Sequence, residues 1–357
     1  MGTGVSIVVP TVGRPSLSRL LTALAPADGV LPMPLELILV DDRRDSRDPL
    51  VDLPPSLKPV TRIVGGRAAG PAAARNVGWR AAAYPWIAFL DDDVVPAPDW
   101  LSALEGDLDV DDHVAGVQGV VEVPMPPDRR PTDWERVTRG LADGRWITAD
   151  MAYRREALAA VGGFDERFPR AFREDADLAF RVRRAGGVLT VGRRRVIHPV
   201  RPESPWVSLR TQAGNADDAL LRRLYGPRWR ELLEAPPGRR PRHAAVTAAG
   251  LVALGALGTA AGLAGRPGRS PRAARAARVV GALAGAAWLA GTAEFAAARI
   301  APGPRTTREV ATMAATSALI PPYAMAQWLR GWVRAARPSR AEPARGSCPG
   351  DRIGARG

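Results

Sequence analysis

The chain has 357 residues, one cysteine and a formal net charge of +13. A single cysteine excludes an intramolecular disulfide framework and fits a reducing compartment. The charge is local: residues 236–357 hold 18 arginines against four acids, leaving a nearly neutral 32 basic and 33 acidic residues ahead of them.

In chain order, VSIVVP (Val5–Pro10) is a short β-branched apolar run, expected of a strand buried on both faces. No basic stretch and apolar leader precede it, so a cleaved signal peptide is not expected. SLSRLLTAL follows with apolar residues at helical spacing. LELILVDD (Leu35–Asp42) reads as a second buried strand ending in acids, and TRIVGG (Thr61–Gly66) as a third. AAARNVGWRAAA (Ala72–Ala83) predicts a helix, and WIAFL (Trp86–Leu90) a fourth strand that runs directly into Asp91, Asp92 and Asp93. VAGVQGVVEV (Val114–Val123) is another strand, MPPDRRPTDWER a Pro-rich connection, and ITADMAYRREALAAVGGFDERF (Ile147–Phe168) a strand, a helix and a Gly-Gly stop. EDADLAFRVRRAGG (Glu174–Gly187) is an amphipathic helix, and VLTVGRRRVIHPV (Val188–Val200) predicts a closing strand pair near His198. Strands alternating with helices predict an α/β domain with a mostly parallel sheet over residues 1–235.

The remainder changes character. Ala244–Gly265 holds 22 residues without a charge, enough to cross a bilayer core at about 1.5 Å per residue. Val279–Ala293 and Val310–Leu329 are further uncharged stretches, the last containing Pro321 and Pro322. Residues 236–340 are therefore expected to be an Ala/Gly-rich helical, membrane-associated region, with a soluble helical subdomain as the alternative. Residues 341–357 are expected to be a disordered tail. The five arginines of Arg266–Arg278 conflict with the positive-inside tendency if the first segment crosses outward from the cytosol. A re-entrant or interfacial hairpin keeps them on the cytosolic side.

Ligands of open α/β sheets bind beyond the carboxyl ends of the strands, and two predicted strands end there in acids. Asp91, Asp92 and Asp93 can form a hard-oxygen site for Mg²⁺ or Mn²⁺, whose charge relieves their mutual repulsion, or an acidic turn that solvates itself. Asp41 and Asp42 can accept hydrogen bonds from a nucleotide base or ribose, or lie in a loop balanced by the arginines that follow. Arg75 can fork onto a phosphate or be an ordinary surface cation. Glu174 and Asp175 can cap a helix or place a general base in a cleft. His198 can ligate a metal or be structurally satisfied. The sequence lacks G-x-G-x-x-G after the first strand and G-x-x-x-x-G-K-[ST] anywhere, which excludes a dinucleotide-binding dehydrogenase and a P-loop NTPase. Without helix-turn-helix, zinc-ligand or RNA-recognition signatures, no nucleic-acid partner is expected.

The ordered set VSIVVPTVGRPSLSRLLTAL, ELILVDD, GPAAARNVGWRAA, WIAFLDDD and AVGGFDERFPRAFREDADLAFRVRRAG resembles the family 2 glycosyltransferases of the GT-A (Rossmann-like) fold. The resemblance covers roughly residues 4–200. It implies inverting transfer of a sugar from a nucleotide-diphosphate donor to an acceptor hydroxyl. Pro10 and Thr11 would border the nucleotide, Asp42, with Asp41 beside it, would contact the base, and Arg75 would lie near the donor. Asp93 would bind the metal directly, with Asp91 and His198 as further ligands, while Asp91 or Asp92 would meet the ribose or sugar. Asp175 would be the catalytic base with Glu174 beside it. The processive members' Q-x-x-R-W motif is incomplete in LYGPRWR, where Tyr225 replaces Gln ahead of Arg228 and Trp229, so a single-addition enzyme is expected. The basic apolar tail suggests a glycan or lipid-linked acceptor at the cytoplasmic face of the membrane. A sugar-nucleotide-binding protein or a nucleotidyltransferase on the same acidic site is the alternative.

Overall fold

The structure is a computed structural model describing residues 4–26, 28–45, 48–264 and 270–336. The expected disordered tail, Cys348 and part of the arginine-rich loop (265–269) lie outside the described residues. In chain order, β1 (Val5–Thr11), α1 (Ser16–Leu24), β2 (Leu35–Asp41), β3 (Thr61–Gly65), α2 (Pro71–Ala81) and β4 (Trp86–Leu90) come first. Then follow β5 (Val95–Pro96), α3 (Trp100–Leu108), β6 (Val114–Glu122), α4 (Asp133–Arg139), β7 (Asp150–Arg154), α5 (Arg155–Val161), α6 (Glu174–Arg184) and β8 (Val188–Ile197). The short helices α7 (Val207–Arg210), α8 (Asn215–Tyr225) and α9 (Trp229–Leu232) lead to the long α10 (Arg240–Ala264), α11 (Pro271–Ile300) and α12 (Thr307–Ala336).

The strands form one sheet in the order β3-β2-β1-β4-β7-β6-β8-β5. Four of its seven pairings are parallel: β1 with β2 and β4, β2 with β3, and β6 with β8. β7 runs antiparallel between β4 and β6, and the two-residue β5 runs antiparallel to β8. Side chains alternate across the pleat, so a strand buried on both faces must be apolar throughout. In β1, Val5, Ile7 and Val9 pack with Leu17, Leu20 and Leu21 of α1. Val8 points the other way, with Ile38, Val40 and Ala74. Full burial of each such side chain is worth about 1.5–3 kcal/mol. Helix α2 lies close on the sheet because Gly78 has no side chain; a Cβ there would sit 2.3 Å from a Val8 methyl.

Several elements depart from the sequence reading, which assigns nothing to β5, α3, α7, α8 or α9. Val188–Val200 contains one strand, β8, whose partners are β6 and β5. The Pro-rich connection contains α4, opened by a capping box between Thr132 and Glu135. The third uncharged stretch falls in α12, whose buried Met313, Ile320, Ala324 and Trp328 form an inward face. Near its end, a Cβ on Gly331 would meet the Ala216 backbone oxygen of α8 at 2.4 Å, so α12 lies against the short helices.

Among the described residues, α10 and α11 are the two helices long and apolar enough to cross a membrane by length and composition. They form an antiparallel hairpin, with Gly281 against Leu257 and Gly291 against Val246. Leu251, Leu254, Leu283 and Leu289 are exposed along it. The root of the hairpin is pinned by buried Arg299, which donates to Asp133 (2.7 Å), Ser208 (2.9 Å) and Thr316 (2.8 Å).

Candidate functional site

The ends of β1, β2 and β4 lie side by side, because β1 pairs with both of the others in parallel. That placement gathers Thr11, Asp41–Asp42 and Asp91–Asp93 on one edge. Asp92 is tied down by Thr11 Oγ1 (2.7 Å) and by Arg14 Nη1 (2.6 Å), and is 1% exposed. It therefore joins two strand ends. Pro10 is the penultimate residue of β1, in register with Val40.

Asp41 and Asp42 have different surroundings. Arg43 grips Asp41 with Nε (2.9 Å) and Nη2 (2.8 Å), and those hydrogen bonds hold the carboxyl below the usual aspartate range. The local counter-charge foreseen for this loop thus falls on Asp41. Asp42 accepts the backbone N–H groups of Arg67 (3.1 Å) and Gly70 (3.0 Å), which shape the loop between β3 and α2. Gly70 is required there: its φ is +97°, and a Cβ would lie 2.4 Å from the Pro169 carbonyl oxygen. An open cleft of about 660 Å³ lies between Val12, Asp42, Arg43, Ala69, Gly70 and Pro169.

Arg75 is 1% exposed. Its Nη1 donates to Glu174 Oε1 at 2.9 Å and its Nη2 to Asp91 Oδ1 at 2.7 Å. The two carboxylates hold its protonated form still more firmly, against the cost of burial. Its fork is therefore committed to the protein's own acids. Burial, followed by the neighbouring Asp175, pushes Glu174 up against the pull of Arg75. Glu174 Oε2 is buried without a hydrogen-bond partner.

Asp175 is only partly buried and accepts one backbone N–H, that of Ala176, at 2.7 Å. Burial raises its pKa, and Asp91 adds to the rise, while the Ala176 bond, Arg75 and Arg173 oppose it. The preceding Arg173 adopts φ +78°, a left-handed conformation costly for a side-chain residue. Asp218 of α8 offsets that cost by accepting Arg173 Nε at 3.1 Å, while Asp217 accepts Arg170 Nε at 3.0 Å. These anchors fix the entry to α6 and with it the Glu174–Asp175 pair.

His198 meets Asp93 because β5 pairs with β8: Val95 is in register with Ile197, placing the residues just outside that pair together. His198 Nε2 lies 3.6 Å from Asp93 Oδ1, beyond hydrogen-bond length and within reach of one shared cation. Arg201 Nε stands 3.2 Å from the other oxygen. Burial and Asp91 raise the Asp93 pKa, opposed by His198 and Arg201. Among the described residues no group of three or more His, Cys, Asp or Glu is placed to hold a metal. A carboxylate–imidazole pair still suits a cation that takes much of its coordination from waters and substrate phosphates.

The sequence reading missed a second acid–base cluster beneath this edge. Arg194, fully buried, donates to Asp150 (2.7 Å), Asp107 (2.9 Å) and the Val117 carbonyl (2.7 Å), while Trp100 donates to Asp150 at 2.7 Å. Its members come from α3, β6, β7 and β8, so no local spacing announces it.

Residues 6–177 match the family model described as glycosyl transferase family 2. The chain is 31% identical over 199 residues to the pre-mycofactocin glycosyltransferases of two Mycobacterium tuberculosis strains, CDC 1551 / Oshkosh and ATCC 25618 / H37Rv. Each match covers 52% of this chain and 40% of the relative, so the chain spans about two fifths of the length of these curated relatives. Among solved structures, it is similar to a mannosyltransferase from Pyrobaculum calidifontis in complex with GDP-Man and Mn²⁺ (19% identity, 93% of this chain and 85% of that one, TM-score 0.46). It is also similar to the glucosyl-3-phosphoglycerate synthase of M. tuberculosis in complex with Mn²⁺, UDP-Glc and phosphoglyceric acid (18% identity, 66% and 82%, TM-score 0.43).

Proposed function

Residues 6–177 carry a glycosyl transferase family 2 domain, and on that premise we propose that the chain is a metal-dependent, inverting glycosyltransferase using a nucleotide-diphosphate sugar. The observation that carries this reading is the gathering of Asp42, Asp91, Asp93, His198 and Asp175 at one edge of the sheet, beside an open cleft. The cleft next to Asp42 takes the nucleoside, and the two Asp42 oxygens keep lone pairs for the base in addition to their backbone bonds. Asp93 and His198, with Asp91 beside them, would hold Mg²⁺ or Mn²⁺. When bound, the cation neutralises charge on the departing nucleoside diphosphate.

Asp175 is the better base of the acidic pair. It is partly open to solvent, whereas Glu174 is sealed and bound by Arg75. In this reading Asp175 takes the proton of the acceptor hydroxyl, the oxygen bonds to the anomeric carbon, and the bond to the diphosphate breaks on the opposite face. A raised pKa strengthens Asp175 as a base once it is ionised. Arg75 and Glu174 fix the distance between the base and Asp91. The acceptor is a glycan or lipid-linked hydroxyl, and α10 and α11 attach the enzyme to the cytoplasmic face of the membrane. Residues 1–235 form the catalytic unit and 236–340 the attachment.

Thermal-shift measurements of the full chain with nucleoside diphosphates, with and without Mn²⁺, test the reading. A ligand that binds only the folded state raises Tm by mass action. A metal-dependent shift with one diphosphate supports it; no shift with any of them overturns it. Release of pyrophosphate from a nucleoside triphosphate, with sugar nucleotides left intact, would instead identify a nucleotidyltransferase.

A further inference from the structure

A second cavity, of about 410 Å³, lies at the root of the α10–α11 hairpin. Its wall is made of small and apolar side chains, including Val246, Ala249, Ala287 and Phe295, and its rim of Arg239, Arg242, His243 and Glu294. Two guanidiniums face one carboxylate: Glu294 accepts Arg242 Nη1 at 3.3 Å and a close hydrogen bond from Arg239. Arg239 Nε is buried with no partner. The Arg239 guanidinium also lies over the Phe295 ring, 4.9 Å from the centroid, so Glu294 and Phe295 order the two arginines while one carboxylate faces two positive charges.

The position of this rim along the hairpin matters. Immediately beyond it the charges stop, at Ala244 on one helix and Ala293 on the other, and the exposed Leu251, Leu254, Leu283 and Leu289 begin. In a membrane-attached hairpin that boundary is the depth of the lipid headgroups, with the apolar wall of the cavity leading from it toward the acyl chains. We propose that this cavity is a binding site for an anionic lipid, its phosphate held by Arg239 and Arg242 and one chain lying along the small-residue face of α10 and α11. The proposal rests on membrane attachment by the hairpin and is independent of the sugar donor. The lipid sits at the joint between hairpin and catalytic region, since α12 closes the cavity with Pro321.

The test uses the full chain in nanodiscs or mild detergent. Phosphatidylglycerol retention is read by native mass spectrometry against phosphatidylcholine, for the parent and for the Arg239→Gln/Arg242→Gln double variant, whose fold is checked by circular dichroism. The expected result is a preference for phosphatidylglycerol that falls roughly ten- to thirtyfold in the variant, from about 1 kcal/mol per arginine. Inorganic phosphate at millimolar concentration should not displace the lipid; displacement would mean an anion site without a lipid function and overturn the proposal. Equal retention of both lipids, or an unchanged double variant, also overturns it. Carbonate extraction of cell membranes separates the two levels. Release of the chain sinks membrane attachment itself, whereas a retained chain without lipid preference sinks only this site.

Discussion

Arg75 Nη1 donates to Glu174 Oε1 at 2.9 Å, and both side chains are sealed from solvent, 99 residues apart in the chain. The same guanidinium holds Asp91 Oδ1 at 2.7 Å, so one cation from α2 sets the spacing between the ends of β4 and α6. Replacing one partner of a buried pair leaves the other charge uncompensated. Arg75→Met should lower unfolding stability by about 3–5 kcal/mol, measured by urea denaturation. Glu174→Gln keeps the shape and removes the charge, and should cost less; an Arg75→Met loss below about 1 kcal/mol would contradict the sealed bridge.

Asp175→Asn should reduce kcat by about 10²–10⁴, the usual worth of acid–base catalysis, while the donor still binds. Turnover under donor saturation and nucleotide-dependent thermal shift separate the two effects. Retention of full turnover would remove Asp175 from the chemistry.

The pH dependence follows from the direction of the Asp175 shift. Burial raises its pKa above that of a free aspartate, so the ionised base is lost at a higher pH as the solution is acidified. The acid limb of kcat/KM should therefore lie above the ordinary aspartate range near 4. For stability the sign is opposite to that of a salt-bridged acid. The raised group favours the folded state at low pH, and that contribution fades as pH rises through the folded-state pKa.

Asp93→Ala and His198→Ala should each weaken Mn²⁺ binding, read by titration calorimetry in the presence of nucleoside diphosphate. With Asp93 and His198 as the proposed ligands, each loss should cost tenfold or more, by analogy with the roughly 10–100-fold cost of removing a ligand's support. Asp41→Asn should leave that titration unchanged, because Arg43 already occupies its carboxylate.

Arg194→Met should destabilise by about 3–5 kcal/mol, since Asp107 and Asp150 would remain buried without their cation. Donor and metal affinity should persist in whatever fraction stays folded. Paired replacement of Arg194 and both acids by apolar residues should recover part of the loss.

Much of the first half was legible from local pattern. Short apolar, β-branched runs such as VSIVVP and LELILV fit a strand buried on both faces, and acids at their ends then sit on the sheet edge. The short helices differ in what announces them: α3 and α8 carry no capping box in the sequence, while the Thr132–Glu135 capping box of α4 is a local signal. Asp92 shows the limit of composition. Three adjacent aspartates look alike in the sequence, yet Arg75 takes Asp91, Thr11 and Arg14 take Asp92, and Asp93 faces His198 and Arg201.

By itself the sequence determined the strand–helix alternation, the acidic strand ends, the order of motifs that match glycosyl transferase family 2, and the uncharged length of the C-terminal helices. These follow from periodicity and spacing, which act over a few residues. Only the tertiary structure decided which partner each charge has. Pairing β5 with β8 brings His198 to Asp93, the start of α6 reaches the Arg75 side chain of α2 through Glu174, and closing the α10–α11 hairpin brings Arg239 to Glu294. The reason is electrostatic. A buried charge is tolerable only beside its opposite, and the opposite is chosen by chain topology across distances that no local pattern records.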